Sequence, residues 1–260
     1  LASQAVGATL VSVPAQSHDL GHDLDGFAQR ITDNTAVVWV ANPNNPTGSF
    51  IPGARLESFI AGLPASVLVV LDEAYTEYLS EDETYPAFEW VQRYPNLLVS
   101  RSFSKAYGLA GLRVGYGVAS AEVTDLLNRV RQPFNVNSLA LAAAEASIFD
   151  DDFLARSAEL NRQGMQQIQQ GLQALGIGWL KSWGNFLLID LQAAHPTVPG
   201  AGARVYEALL SKGVITRPVA NYGLPGYLRV SIGTKDENEA FLKAMPFALE
   251  SLKTLQAHAS

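Results

Sequence analysis

Three short apolar runs in this chain end abruptly in chemically active residues, and that pattern limits the fold more than any other. Residues 36–40 run into Asn42-Pro-Asn-Asn-Pro-Thr-Gly48, residues 67–71 into Asp72-Glu-Ala-Tyr75, and residues 97–100 into Arg101-Ser-Phe-Ser-Lys105. Runs of four or five apolar residues bounded by turn formers read as buried strands. Residues 9–13 and 114–118 carry the same signature. Helical patterns lie between the runs, the clearest at 52–61, which opens on Pro52 and stops near Gly62. This alternation predicts an α/β chain with a mostly parallel sheet flanked by helices. The carboxyl ends of parallel strands share one edge, where ligands bind. An amide, a carboxylate, a phenol and an amine are therefore expected in one pocket.

After residue 118 the rhythm changes. Residues 122–131 and 139–149 read as helices, and Asp151 or Asp152 is expected to cap a long helix that runs to about Leu175 and stops at Gly176. A smaller unit follows, with a strand at 186–191, a helix at 203–212 and a strand at 228–232. Thr234-Lys-Asp-Glu237 is a capping box for a final helix. The expected division is a large domain over 1–150, incomplete at its N-terminus, and a long linking helix with a small C-terminal α/β domain over 151–260.

Composition excludes several classes. With 48% hydrophobic and 17% charged residues the chain can bury a core, so it is not disordered. No apolar run approaches the roughly 18 residues of a membrane span. A net charge of −7 argues against a nucleic-acid or anionic-membrane surface. Cysteine is absent, which removes disulfides, thiolate catalysis and cysteine-based zinc sites and fits a reducing cytoplasm. His18 and His22 lie beside Gly21 and several Asp residues and read as a solvated loop, so no metal site is expected. His195 and His258 read as surface residues. Gly108-Leu-Ala-Gly111 lacks the spacing of a dinucleotide-binding loop. Asn135-Val-Asn137 reads as a loop beside the site or a subunit interface, and Trp39 and Trp183 as core or interface. The opening residues have neither a basic stretch nor an initiator Met, so a missing front end is expected instead of a signal peptide.

Taken singly, the polar residues stay ambiguous. Asp72 directly follows an apolar strand and needs a cationic partner if buried; alone it reads equally as a helix N-cap or a structural ion pair. Lys105, among small and aromatic neighbours, could be desolvated and reactive, yet a lone Lys is more often solvated. Arg113, after Gly108 and Gly111, could form an ordinary salt bridge.

In combination they are more specific. Asn42-Pro-Asn-Asn-Pro-Thr-Gly48, Asp72-Glu-Ala-Tyr75 and Ser102-Phe-Ser-Lys-Ala-Tyr-Gly-Leu-Ala-Gly-Leu-Arg-Val-Gly115, in this order, resemble the aminotransferases of the fold type I pyridoxal-phosphate enzymes. The likeness runs from the first residues to beyond Thr234. It implies pyridoxal 5'-phosphate as cofactor, held covalently by Lys105, with Asp72 paired to the pyridine nitrogen. It also implies Tyr75 and Asn45 on the ring oxygen, Ser102 and Arg113 on the phosphate, and Ser104 as a further phosphate candidate. Leu228-Arg-Val-Ser-Ile-Gly-Thr234 resembles the family's substrate-carboxylate motif, which implies that role for Arg229; its other reading is an exposed edge residue. Arg217, in Val214-Ile-Thr-Arg-Pro218, is a second anion clamp or a local salt bridge.

Within that family the sequence is most similar to the histidinol-phosphate aminotransferases, on Tyr94-Pro-Asn-Leu-Leu-Val, the run around Lys105, and the Arg217/Arg229 pair. The resemblance implies amino-group transfer between glutamate and imidazole-acetol phosphate in histidine biosynthesis. The expected partners are a small-molecule amino donor and keto acceptor, with no nucleic acid and no membrane, and the full-length protein is expected to be a cytoplasmic homodimer. It further implies a preceding segment holding a phosphate-binding helix N-terminus, a ring-stacking aromatic and a Tyr lent to the partner subunit. Aromatic, branched-chain or other transamination and a threonine-phosphate decarboxylase-like lyase use the same cofactor residues. A pyridoxal-phosphate-fold regulator and a non-catalytic fragment are the readings from other classes.

Overall fold

The computed structural model describes residues 2–256. Strands β1 (Val37–Ala41), β2 (Leu68–Asp72) and β3 (Leu97–Ser102) are parallel, and β4 (Gly115–Ala119) closes the sheet antiparallel to β3. Parallel neighbours need crossovers. Helix α1 (Gly53–Ala61) carries the chain from β1 to β2; Pro52 sets its start and Gly62 its end, as expected. Helix α2 (Ala87–Arg93) carries it from β2 to β3. Its seven residues are too few to show a helical period, yet Ala87, Trp90 and Val91 are all buried. They join Leu56, Ile60, Val69, Leu71, Leu97 and Val99 in one core.

Helices α3 (Ala121–Val130) and α4 (Ser138–Ser147) lead to the long α5 (Asp151–Ala174). Asp150, not Asp151 or Asp152, caps α5, by accepting from the Phe153 amide at 3.0 Å. A second, antiparallel sheet has the order β5-β6-β8-β7, from β5 (Gly178–Trp179), β6 (Phe186–Asp190), β7 (Arg217–Pro218) and β8 (Tyr227–Ser231). Ile168 of α5 packs there with Leu187, Ile189 and Leu228, with Leu209 of α6 (Ala201–Leu210), and with Phe241 and Met245 of α7 (Lys235–Gln256). The Thr234 capping box forms: Thr234 N–H reaches the Glu237 carboxylate at 2.8 Å, and Glu237 N–H reaches the Thr234 hydroxyl at 3.4 Å.

The architecture is therefore the mixed α/β fold with a mostly parallel sheet that the sequence predicts. Four local expectations fail. Residues 9–13 form no strand; they lack a neighbouring strand among the described residues, and 9–12 are exposed, so neither ladder nor face supports one. Trp39, expected as core or interface, is 59% exposed on β1, an edge strand of this sheet, which leaves the interface alternative and is not counted among the four. β4 is not buried on both faces, because Gly115 and Gly117 are exposed. His22 is half-buried, not solvated: its Nε2 lies 3.1 Å from the Ala41 carbonyl oxygen, and burial lowers its pKa. His195 is also half-buried, and His258 lies outside the described residues. No helix among the described residues is long and apolar enough to cross a membrane.

Candidate active site

Register brings the three strand exits together. Ala41 lies beside Asp72, and Asp72 beside Ser100. Past the strand ends, Asn42 N–H donates to the Asp72 carbonyl and Glu73 N–H to the Ser100 carbonyl, each at 2.9 Å. The loops leaving β1, β2 and β3 thus start side by side.

The β1 exit is tied by Asn42, which is fully buried. Its side chain donates to the Ile51 carbonyl at 3.0 Å and accepts from the Ile51 N–H at 2.7 Å, pinning both ends of the loop. Asn42-Pro43 and Asn45-Pro46 are cis. Gly48 has φ +77°, and a Cβ there would lie 2.2 Å from the Ser182 hydroxyl, so only glycine lets residues 181–184 come this close. The loop presents Asn45, whose Oδ1 accepts from Arg229 at 2.5 Å.

The β2 exit carries Asp72 and Tyr75. Burial pushes the Asp72 carboxyl up, against hydrogen bonds from Ala74 N–H and Ser100 and the charge of Lys105. Tyr75 is buried, edge-on to Phe186 at 5.3 Å, with its phenol raised by burial against the pull of Arg229.

The β3 exit carries Ser102, Ser104 and Lys105. Ser102 Oγ accepts from Ser104 N–H at 3.0 Å, which leaves the hydroxyl hydrogen to donate elsewhere. The Lys105 ammonium sits 5.3 Å from the Tyr75 ring centroid. Burial lowers its pKa, Arg229 and Arg113 lower it further, and Asp72 opposes them. Such an amine loses its proton more readily than a solvated lysine and can act as nucleophile and base. Arg113, at φ 55°, is exposed and donates to the Ala110 carbonyl at 2.9 Å.

The second sheet supplies the opposite wall. Arg229 lies over the Phe186 ring, with its guanidinium carbon 5.0 Å from the centroid. Its Nε is buried without a hydrogen-bond partner, and burial and the Arg217 charge lower its pKa. Arg217, exposed, is its direct partner in the β7–β8 ladder. Arg229 is thus half-buried and bonded to Asn45, not exposed at an edge.

Direct contacts join Asn45, Arg229, Phe186, Tyr75 and Lys105, and hydrogen-bond or charge coupling adds Asp72 and the β3 exit. Arg113 and Arg217 stand at the rim and act through charge. The set fits pyridoxal phosphate: an amine for its aldehyde, a carboxylate for its ring nitrogen, an amide and a phenol for its ring oxygen, and a hydroxyl and a guanidinium for its phosphate. The unpartnered Nε of Arg229 suits a further anion. No group of acidic and histidine side chains able to hold a metal occurs among the described residues.

Single-residue reading missed the Glu73–Arg101 ion pair (2.9 Å), the half-buried Glu77, and Phe186. Strand parity was the available signal for the pair. Asp72 and Glu73 must point oppositely, as must Ser102 and Arg101, so Glu73 and Arg101 share the reverse face.

A sheet with these exits, walled by arginines from a second sheet, has counterparts among known proteins. The family profile described as aminotransferase class I and II matches residues 2–245, and the chain belongs to that family. Its relatives narrow the class. Histidinol-phosphate aminotransferase 1 of Cupriavidus pinatubonensis is 58% identical over 96% of this chain and 65% of its own length. Histidinol-phosphate aminotransferase 2 of Ralstonia nicotianae is 56% identical over the same shares, 96% and 65%. The crystal structure of histidinol-phosphate aminotransferase from Sinorhizobium meliloti, in complex with pyridoxal-5'-phosphate, matches with a TM-score of 0.85 and 31% identity, over 97% of this chain and 67% of that one. The chain spans about 65% of the length of these curated relatives.

Proposed function

We propose that this chain carries the catalytic centre of a pyridoxal-phosphate-dependent aminotransferase. The reaction transfers the amino group of glutamate to imidazole-acetol phosphate, giving 2-oxoglutarate and histidinol phosphate, in histidine biosynthesis. One observation carries the reading: a half-buried Lys105 amine, its pKa lowered by burial and by two arginines, within reach of the Asp72 charge at the shared strand edge. The similarity to histidinol-phosphate aminotransferases supports the substrate.

When bound, pyridoxal phosphate supplies an aldehyde carbon for amine exchange and a protonated ring that draws off the electrons of a breaking Cα bond. The protein's own residues do the rest. Lys105 would hold the cofactor through its aldehyde carbon and, as a neutral amine once the substrate amine takes its place, would move the proton between the substrate Cα and that same carbon. Asp72 keeps the ring nitrogen protonated by ion pairing. Asn45 and Tyr75 orient the ring through its oxygen. Ser102 and Arg113 hold the phosphate, with Ser104 beside them. Arg229 binds the α-carboxylate of glutamate in one half-reaction and the phosphate ester in the other; Arg217 adds a second charge at the same end.

The same proposal divides the chain into a large cofactor-binding domain over 1–150 and a long linking helix with a small domain over 151–260. It makes the whole protein a cytoplasmic homodimer. Val130, Phe134, Leu139 and Phe149 support a subunit contact, because each is more than 75% exposed.

The test is the whole protein with pyridoxal phosphate, glutamate and a panel of keto substrates. The expected result is 2-oxoglutarate and histidinol phosphate, with imidazole-acetol phosphate strongly preferred. Carbon dioxide release without keto-acid dependence would assign a lyase instead, and indifference to the phosphate would overturn the substrate.

A further inference from the structure

Behind the site lies a buried polar relay that touches none of the proposed cofactor contacts. Glu73 is 0% exposed, and both the Nε and one terminal nitrogen of Arg101 reach its Oε2 at 2.9 Å. Arg101 is covered by the Phe88 ring, 4.2 Å from the guanidinium carbon to the centroid. Tyr85 stacks on Trp90 with centroids 5.0 Å apart and 10° between planes. Its hydroxyl accepts from Asn42 at 3.0 Å and lies close enough to Glu73 for each to shift the other's pKa. Each member adjoins a site residue along the chain: Asn42 anchors the loop of Asn45, Glu73 follows Asp72, and Arg101 precedes Ser102.

We infer that Glu73 and Arg101 are positioning residues, a buried ion pair on the reverse face of the β2 and β3 exits that holds Asp72 and Ser102 in place against the cofactor. The inference rests on the reading of the site as a pyridoxal-phosphate centre. A buried pair is weak evidence for stability as such, since apolar residues can replace one without loss. This pair sits where a shift of either exit displaces two cofactor contacts at once. It also compensates the Arg101 charge, which otherwise lies one residue from Ser102.

The test uses the whole protein loaded with pyridoxal phosphate. Cofactor affinity is read by fluorescence, the pKa of the lysine–cofactor absorbance band by pH titration, and melting temperature on the same samples. Glu73→Gln leaves Arg101 uncompensated, and a bare positive charge disfavours the protonated band. The band's pKa should fall by about one unit, and cofactor should bind about tenfold more weakly, the scale of one charge-assisted hydrogen bond. Glu73→Asp keeps the charge and shortens the reach, so it should weaken cofactor binding while leaving the band's pKa near the native value. It also serves if Glu73→Gln does not fold. Lower melting temperatures with native cofactor affinity in both variants would overturn the inference. A native protein with no lysine-linked band at all would instead overturn the proposed function.

Discussion

Glu77 shows how burial acts on one side chain. It stands one short turn beyond Tyr75, with Oε2 buried and unpartnered. Desolvation raises its pKa from 4.5 to about 7, with Arg101 opposing and Glu73 assisting. Because the folded pKa lies above the unfolded one, stability is lost as pH rises from about 4.5 to about 7 and stays low above that. Glu77→Gln removes that cost. It should stabilise the protein at pH 8 by roughly 2 kcal/mol, allowing for partial exposure, and by far less at pH 5. Denaturant titrations at the two pH values measure this, and an equal effect at both would contradict it. Glu77 was hidden in the sequence because nothing marks the burial of a glutamate in a short turn. Lys105, Asp72 and Asn45 were legible because each follows a strand whose own pattern is plain. Asp72 was read as needing a cationic partner, but the direct ion pair belongs to its neighbour Glu73. Asp72 itself takes hydrogen bonds and the longer-range charge of Lys105.

At the scale of elements, long regular segments were readable and short ones were not. β2, β3, α1, α5 and the α7 cap follow from period, Pro, Gly and capping residues. β5 and β7 have two residues each, too few for any period, and exist because β6 and β8 offer them ladders. Residues 9–13 have the composition of a strand without a ladder to join. Helix α6 meets β8 through Gly202, whose N–H donates to the Pro225 carbonyl at 3.1 Å. A Cβ on Gly202 would lie 2.2 Å from the Tyr227 carbonyl oxygen, and backbone cannot swing aside as a side chain can. Gly202→Ala should therefore cost about 2 kcal/mol despite its better helix propensity. Because β8 also carries Arg229, the same variant should raise KM for the anionic substrate. A melting temperature equal to that of the native protein would contradict the close approach.

At the scale of the whole molecule, the proposed centre lies on the join between the two sheets. Trp183 N–H donates to the Gly48 carbonyl at 2.9 Å, and its indole N–H donates to Glu83 at 2.5 Å. Arg229 reaches Asn45 across 184 residues of chain, and Phe186 packs edge-on to Tyr75. Sequence pattern placed the strand exits but not this join, because long-range contacts leave no period; Trp183 reads only as core or interface and Phe186 only as the first residue of a strand. The central claim is that the join centres on the Lys105 amine. The most direct measurement is borohydride reduction of the pyridoxal-phosphate-loaded whole protein, followed by peptide mapping by mass spectrometry. The account predicts a phosphopyridoxyl group on Lys105, with the yellow band lost in Lys105→Ala. A modification on another lysine, or a band that persists in Lys105→Ala, would contradict it.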